Sequence, residues 1–281
     1  SSMTGGIDSA IEINRRLAEA AQHCSIAMGV GSQRPALTDP TLSESYQLRR
    51  YAPDALLFAN IGAVQLNYEL QISDCQRAVD MLEADALILH LNPLQEALQP
   101  EGNTRFAGLA KKIAEVCRKI EVPVIVKEVG WGISGRTAVL LQDAGVQAID
   151  VAGAGGTSWS QVEMYRQEDS MMRETAAAFQ SWGLTTMESI KQVKQHAPEC
   201  MIFASGGITS GIDSAKCIAM GASVCGMAGK FLHAAVHSSE ETIRTIRTFE
   251  MQLRIAMFAA GIRSISELRG TSQLQCRERC K

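Results

Sequence analysis

Residues 90–96 read His90, Leu91, Asn92, Pro93, Leu94, Gln95, Glu96, and they follow the apolar run Ala86-Leu87-Ile88-Leu89. A histidine, an asparagine, a glutamine and a glutamate therefore leave the end of one buried strand together. Such a set can move protons, orient a polar ligand and hold a divalent cation, and it packs poorly. Taken alone, the stretch also fits an ordinary polar turn broken at Asn92-Pro93. Its weight comes from further polar and glycine-rich groups spaced along the chain. These are Gly31-Ser32-Gln33-Arg34, Asn60, Lys127-Glu128, Gly155-Gly156-Thr157-Ser158-Trp159, Gly206-Gly207-Ile208-Thr209 and Ala228-Gly229.

Each group needs an element to position it. Short β-rich runs at residues 25–30, 55–60, 85–91, 122–127, 148–151, 201–205 and 223–227 read as strands. Helical patterns lie between them at residues 7–23, 73–83, 106–120, 136–144, 186–196 and 212–220, with a last long helix over 242–261. Gly145, Gly183 and Gly221 fall where a helix hands over to the next element. Strict alternation of this kind implies parallel strands joined by crossover helices. The opening residues 1–6 read as the end of a further strand and its loop. The expectation is an α/β fold, a (β/α)8 (TIM) barrel whose first strand is largely missing from this chain. Residues 1–270 would form one barrel domain and residues 271–281 a polar tail holding Cys276 and Cys280.

In such a barrel the functional groups gather at the C-terminal strand ends, which is where the motifs fall. Glycines after the last two strands let backbone approach a phosphate, and a helix N-terminus adds N–H donors and a positive dipole end. One Gly pair alone would be an ordinary turn; three such turns at strand ends favour a ligand. Lys127 closes the apolar run 122–126 and points either into the barrel mouth or out to solvent, and the sequence leaves both open. His233 and His237 stand four apart but lack the glutamate of a zinc-protease helix, so they read as a solvated face.

Bulk properties exclude several classes. A net charge of −3 gives no global attraction to nucleic acid. No apolar run reaches membrane-spanning length, and the eight scattered cysteines, without a C-x-x-C pair, read as reduced thiols of a cytoplasmic protein.

The motif set, in this order and spacing, resembles the type 2, flavin-dependent isopentenyl diphosphate isomerase family from Ser1 to about Gly270. The H-x-N-x-x-Q-E and G-G-T-S-W elements are the specific ones. The resemblance implies FMN along the barrel mouth, touching Ser2, Met3, Thr4, Ser32, Asn60, Lys127 and Thr157. Its phosphate would lie against Gly207, Ile208, Thr209, Ala228 and Gly229. Substrate contacts carry over to Ser32, Gln33, Arg34, His90, Asn92 and Gln95, with Gln95, His90 and Asn92 as the catalytic group. Glu96 corresponds to the Mg²⁺ ligand that holds the diphosphate, and it is expected to stand in a loop with no partner in the fold. The implied reaction moves a double bond between isopentenyl and dimethylallyl diphosphate with reduced FMN and NAD(P)H as the flavin's reductant. A homotetramer or larger homo-oligomer is implied as well. Thr209 stands where the family often has Arg, and Ala152 where it often has Ser. An FMN barrel of the hydroxy-acid oxidase or dehydrogenase type is the alternative, but the place of its catalytic histidine reads Ala204-Ser205-Gly206-Gly207. A non-catalytic barrel fragment is the third reading.

The family also grips the diphosphate with an Arg-Lys pair and a histidine ahead of the position of Ser1. Each lost charge-assisted hydrogen bond costs on the order of 1.5–3 kcal/mol. The 281-residue chain is therefore expected to bind FMN but to isomerise poorly, with substrate affinity lowered roughly a hundredfold or more. Adding the family's N-terminal segment should rescue kcat/KM with isopentenyl diphosphate far more than FMN occupancy. Equal activity of the two lengths under anaerobic, reducing conditions would defeat that expectation.

Overall fold

The computed structural model describes residues 1–2 and 8–273. Seven strands form it: β1 (Met28–Gly29), β2 (Leu57–Gly62), β3 (Ala86–His90), β4 (Val124–Lys127), β5 (Ala148–Asp150), β6 (Met201–Ala204) and β7 (Val224–Cys225). They make one curled parallel sheet in the order β1-β2-β3-β4-β5-β6-β7, so every strand pairs with its neighbour in sequence. The ring is open between β7 and β1. Among the described residues it is an open half-barrel, consistent with a TIM barrel lacking its first strand. At the top of the gap, the Ser1 ammonium donates to Met227 O at 2.7 Å. Below lies an apolar slot of about 640 Å³ lined by residues such as Leu17, Met28, Val224, Phe231 and Leu253.

Two apolar shells follow from the alternation of side chains along each strand. Leu57, Ala59 and Ile61 of β2, Leu87 and Leu89 of β3, and Val124 and Val126 of β4 face outward into the main core under the helices. Ala86, Ile88, Ile125 and Ala148 face inward with Phe58 and Phe203 and plug the barrel. The helices close the outer shell because their apolar residues recur at helical spacing: Cys75, Ala78, Val79 and Leu82 are the buried residues of helix Ile72–Leu82.

The helices read from the sequence all form, each end within three residues of its expected place, the long last one as Ser239–Ala259. Helices Pro93–Leu98, Trp159–Arg166, Ser170–Ala177 and Gly229–His237 are additions. The first of these corrects the expectation of a loop for residues 93–96. Pro93 sits at the start of the helix, where its missing N–H costs nothing.

Leu89 is fully buried between β3 and its covering helices. Leu89→Ala should lower unfolding free energy by about 2–5 kcal/mol in equilibrium urea titration. A loss well under 1 kcal/mol would show that the outer shell collapses around the cavity.

Candidate active site

Register decides which side chains share the barrel mouth. Gly62 pairs with His90, His90 with Lys127, and Lys127 with Asp150. These four form one inward row on top of the apolar row Ile88, Ile125 and Ala148, which the same ladders place one step below. Lys127 therefore points inward: it is 5 % exposed and its Nζ donates to Glu128 O at 2.5 Å. Surface snorkelling, the other reading of this lysine, does not occur. Asp150 went unnoticed in the sequence, although its parity with Lys127 could have revealed it. It is buried and accepts from Ser205 Oγ at 2.6 Å.

His90 has its tautomer set by its neighbour. Asn60 donates from Nδ2 to Val30 O at 2.9 Å, which leaves Asn60 Oδ1 to accept from His90 Nδ1 at 2.9 Å. His90 Nε2 is then the free acceptor. Burial, with the Lys127 ammonium adding to it, pulls the imidazole down to about 3, so the ring is neutral near pH 7. Glu128 next door accepts from the N–H groups of Val129, Gly130 and Trp131 through Oε2, at 2.7, 2.7 and 2.5 Å. Burial pushes its carboxyl up to about 7 against those donors and Lys127. It fixes the loop after β4, of which Val129 lines the mouth.

The helix after β3 carries a connected set of amides and carboxylates. Asn92 Nδ2 donates to Glu96 Oε1 at 2.9 Å and to Gln95 Oε1 at 3.2 Å. Glu96 Oε2 accepts from Asn103 N at 2.6 Å, and Glu96 is buried. The expected loop carboxylate without a partner is thus a helix residue that also ties down the segment ending at Asn103. Gln95 Nε2 donates to Glu163 Oε1 at 3.2 Å, and Gln99 Nε2 donates to the same oxygen at 3.0 Å. Glu163 was missed because helix Trp159–Arg166 carries few apolar residues at helical spacing. Its closeness to the G-G-T-S-W element was the available clue.

Two lobes open on the mouth. A polar one of about 340 Å³ is lined by Ser32, Arg34, Asn60, His90, Asn92, Gln95 and Glu96 among others. A glycine-rich one of about 330 Å³ is lined by Thr157, Gly206, Gly207, Ile208, Thr209, Ala228 and Gly229 among others. Ser2, Lys127, Val129 and Trp159 line both, so the lobes form one continuous cleft. The glycines of the second lobe are forced by packing. Gly206 and Gly207 have φ of +94° and +70°, and a Cβ on Gly206 would lie 2.1 Å from Gly153 O.

Not every expected residue arrives. Gln33 is fully buried outside the cleft, with Nε2 on Ala78 O at 2.9 Å and Oε1 accepting from Asn60 N at 2.9 Å. Its amide is spent on holding β2 against helix Ile72–Leu82. Arg34 lines the polar lobe and pairs with Glu69 at 2.9 Å. Met3 and Thr4, and the tail from residue 274, lie outside the described residues. Among the described residues, two buried polar atoms in the cleft, Ser2 Oγ and Asn92 Oδ1, have no hydrogen-bond partner. Buried polar atoms are normally satisfied, so both carry hydrogen-bonding capacity that the described fold does not use.

A parallel barrel with an elongated polar cleft across its strand ends, closed at one side by glycine turns, has the architecture of the phosphate-binding α/β barrels. The profile of the FMN-dependent dehydrogenase family matches residues 75–275. Among solved structures, a mandelate oxidase with an FMN adduct superposes with a TM-score of 0.67 at 16% identity, covering 96% of this chain and 76% of its own. A lactate oxidase from Pediococcus acidilactici gives 0.64 at 15% identity, covering 92% and 70%. Those likenesses show the fold. The isopentenyl-diphosphate delta-isomerase of a Nostoc species is 50% identical over 275 residues, 98% of this chain and 79% of the relative. The Synechocystis enzyme of the same name is 53% identical over 268 residues, 95% and 77%. The chain belongs to the type 2 isopentenyl-diphosphate delta-isomerase family, and its activity is that isomerisation.

The folded-state value of His90, about 3, lies below the ordinary 6.5. A depressed group gives stability that is present above its unfolded pKa and lost as pH falls toward its folded one. Thermal stability of the flavin-free protein should therefore decline between pH 6.5 and about 3, and His90→Gln should flatten part of that decline. Parallel melting-temperature profiles for the two proteins would speak against a buried neutral His90.

Proposed function

We propose that the isomerase works with reduced FMN in the cleft, its phosphate end in the glycine-rich lobe, and with Mg²⁺ and the substrate diphosphate in the polar lobe. The observation that carries this reading is the continuity of the two lobes through Ser2, Lys127, Val129 and Trp159. One cleft thereby offers a phosphate-sized glycine cradle at one end and a cluster of amides, a carboxylate and an arginine at the other. Its size is in the range of small-ligand sites. The unpartnered Ser2 Oγ and Asn92 Oδ1 support the fit.

Under this reading Ser2, Ser32, Asn60, Lys127 and Thr157 hold the flavin, with Met3 and Thr4 beside them. Gly207, Ile208, Ala228 and Gly229 hold its phosphate. Bound and reduced, FMN supplies the ring at which protons are exchanged with the substrate's double bond. Lys127 lines both lobes as a buried cation and would stabilise negative charge on a flavin bound there. Arg34 and Ser32 bind the diphosphate; Gln33 acts behind them, as a positioning residue for Asn60. His90 accepts through Nε2 and orients the substrate or a ligand of the metal.

Among the described residues no three His, Cys, Asp or Glu side chains converge on a metal position. Mg²⁺ commonly takes one protein carboxylate plus substrate phosphate oxygens and waters, and Glu96 suits that role. Gln95 sits between Asn92 and Glu163, which fixes its amide and aligns it as a relay. A neutral amide is a weak acid, so Glu163 is the better proton store of the pair. NAD(P)H reduces the flavin, and the enzyme works in the cytoplasm as a homotetramer or larger homo-oligomer.

The test of the whole reading is turnover of isopentenyl diphosphate under anaerobic conditions with reduced FMN and Mg²⁺, which should stop when either is withheld. Glu96→Gln probes the metal. It should raise KM and blunt the dependence of KM on Mg²⁺. It should also cost about 1–3 kcal/mol of stability, because its new amide faces a donor at Asn92 or Asn103. An unchanged Mg²⁺ dependence of KM would remove Glu96 from the metal site.

A further inference from the structure

The glycine-rich lobe is built from two strand-to-helix turns whose donors are used differently. After β6, the Thr209 N–H and hydroxyl both donate to Asp213 Oδ2, at 3.1 and 3.2 Å, and the Ser210 hydroxyl donates there at 2.8 Å. Ser210 also caps helix Gly211–Met220 by accepting from Asp213 N. Although burial pushes the other way, these donors hold the Asp213 carboxyl below the usual carboxylate range. The chain's own carboxylate thus occupies the place an anion would take at that turn.

The turn after β7 is open. Helix Gly229–His237 begins at Ala228 without a side-chain cap, and nothing lies within 4 Å of where a Cβ on Gly229 would be. Lys230, in the first turn of that helix, reaches across the lobe and donates from Nζ to Thr209 O at 2.8 Å. Lys127 and Lys230 are the cationic side chains of the lobe's described lining, which includes no carboxylate. Lys127 is held on Glu128 O. Lys230 is held on a carbonyl as well, so position distinguishes the two: Lys127 is buried in the barrel mouth, and Lys230 is exposed at the rim, next in sequence to Gly229.

Resting on the flavin reading above, we infer that Lys230 is the side-chain partner of the FMN phosphate, acting with the open start of helix Gly229–His237, and that Thr209 is not a phosphate contact. A phosphate monoester is close to a dianion at neutral pH, and its pairing with a lysine is a charge-assisted hydrogen bond. A neutral hydroxyl already committed to Asp213 cannot substitute for it.

The phosphate can be isolated by comparing FMN with riboflavin, which has the same ring system and no phosphate. Each is titrated into flavin-free protein by fluorescence quenching, for the natural chain, Lys230→Ala, Lys230→Arg and Thr209→Val. Lys230→Ala should weaken FMN on the order of tenfold to a hundredfold and leave riboflavin within about twofold. Lys230→Arg should retain most of the FMN affinity, and Thr209→Val should change it less than about threefold. The FMN deficit of Lys230→Ala should shrink as salt is raised. If Lys230→Ala keeps the natural preference for FMN, or loses both flavins equally, the inference is overturned while the flavin reading stands. If Thr209→Val loses FMN selectively, the assignment is reversed. A natural chain that binds neither flavin defeats the flavin reading and this inference together. Melting temperatures without flavin show whether each variant is folded.

Discussion

The in-register pairing of β2 through β5 sets what the rest of the molecule can do. Parallel ladders with a side-chain period of two force alternate residues to opposite faces. Gly62, His90, Lys127 and Asp150 then share one level of the barrel mouth, with Ile88, Ile125 and Ala148 as the floor beneath. A slip of one residue in β4 would turn Lys127 outward among the helices and bring Val126 into the mouth. The polar cluster is thus a by-product of apolar packing: Leu87, Leu89, Val124 and Val126 must face the helices, and their neighbours have nowhere else to go.

Within the mouth, hydrogen-bond accounting separates scaffold from site. Gln33 and Thr209 have their polar atoms committed to backbone or to Asp213, and Glu128 spends Oε2 on three backbone N–H groups. Each steadies a segment that carries another residue: Gln33 supports Asn60, and Glu128 supports the loop of Val129. Asn92, Gln95 and Glu163 form a chain that ends in an unpartnered oxygen. Such partly satisfied networks are costly in a buried setting unless a ligand completes them.

The strands were legible because each is an apolar run closed by a polar or glycine-rich turn, and parallel strands buried on both faces look like that. The barrel and the motif set at its strand ends followed from them. Side-chain direction was less accessible. Lys127 and Gln33 each sit at a strand end in sequence, yet one enters the cleft and the other leaves it, because direction depends on parity and on which helix lies behind. Glu163 and Asp150 escaped notice for different reasons. Asp150 could have been found by counting parity from Lys127. Glu163 depends on how helices Trp159–Arg166 and Pro93–Leu98 meet, and local periodicity carries no trace of that contact.

Every strand in this sheet pairs with the next one along the chain, so assembly can proceed by a series of short loop closures. The two ends of the chain meet differently. Arg16, in helix Asp8–Cys24, donates to the carbonyls of Ala235, Val236 and His237, and Ser239 donates to Glu19, across some 220 residues. With the bonds of Ser1 to Met227 and of Arg247 to His23 they are the longest-range hydrogen bonds of the described fold, and nearly all of them join helices, not strands. Helix Asp8–Cys24 can pack early against residues 40–46, where Asn14 donates to Ser45 O, but its contact with helix Ser239–Ala259 forms only once that helix has been made. The seam between these two helices is accordingly among the last contacts of the described fold to form during synthesis.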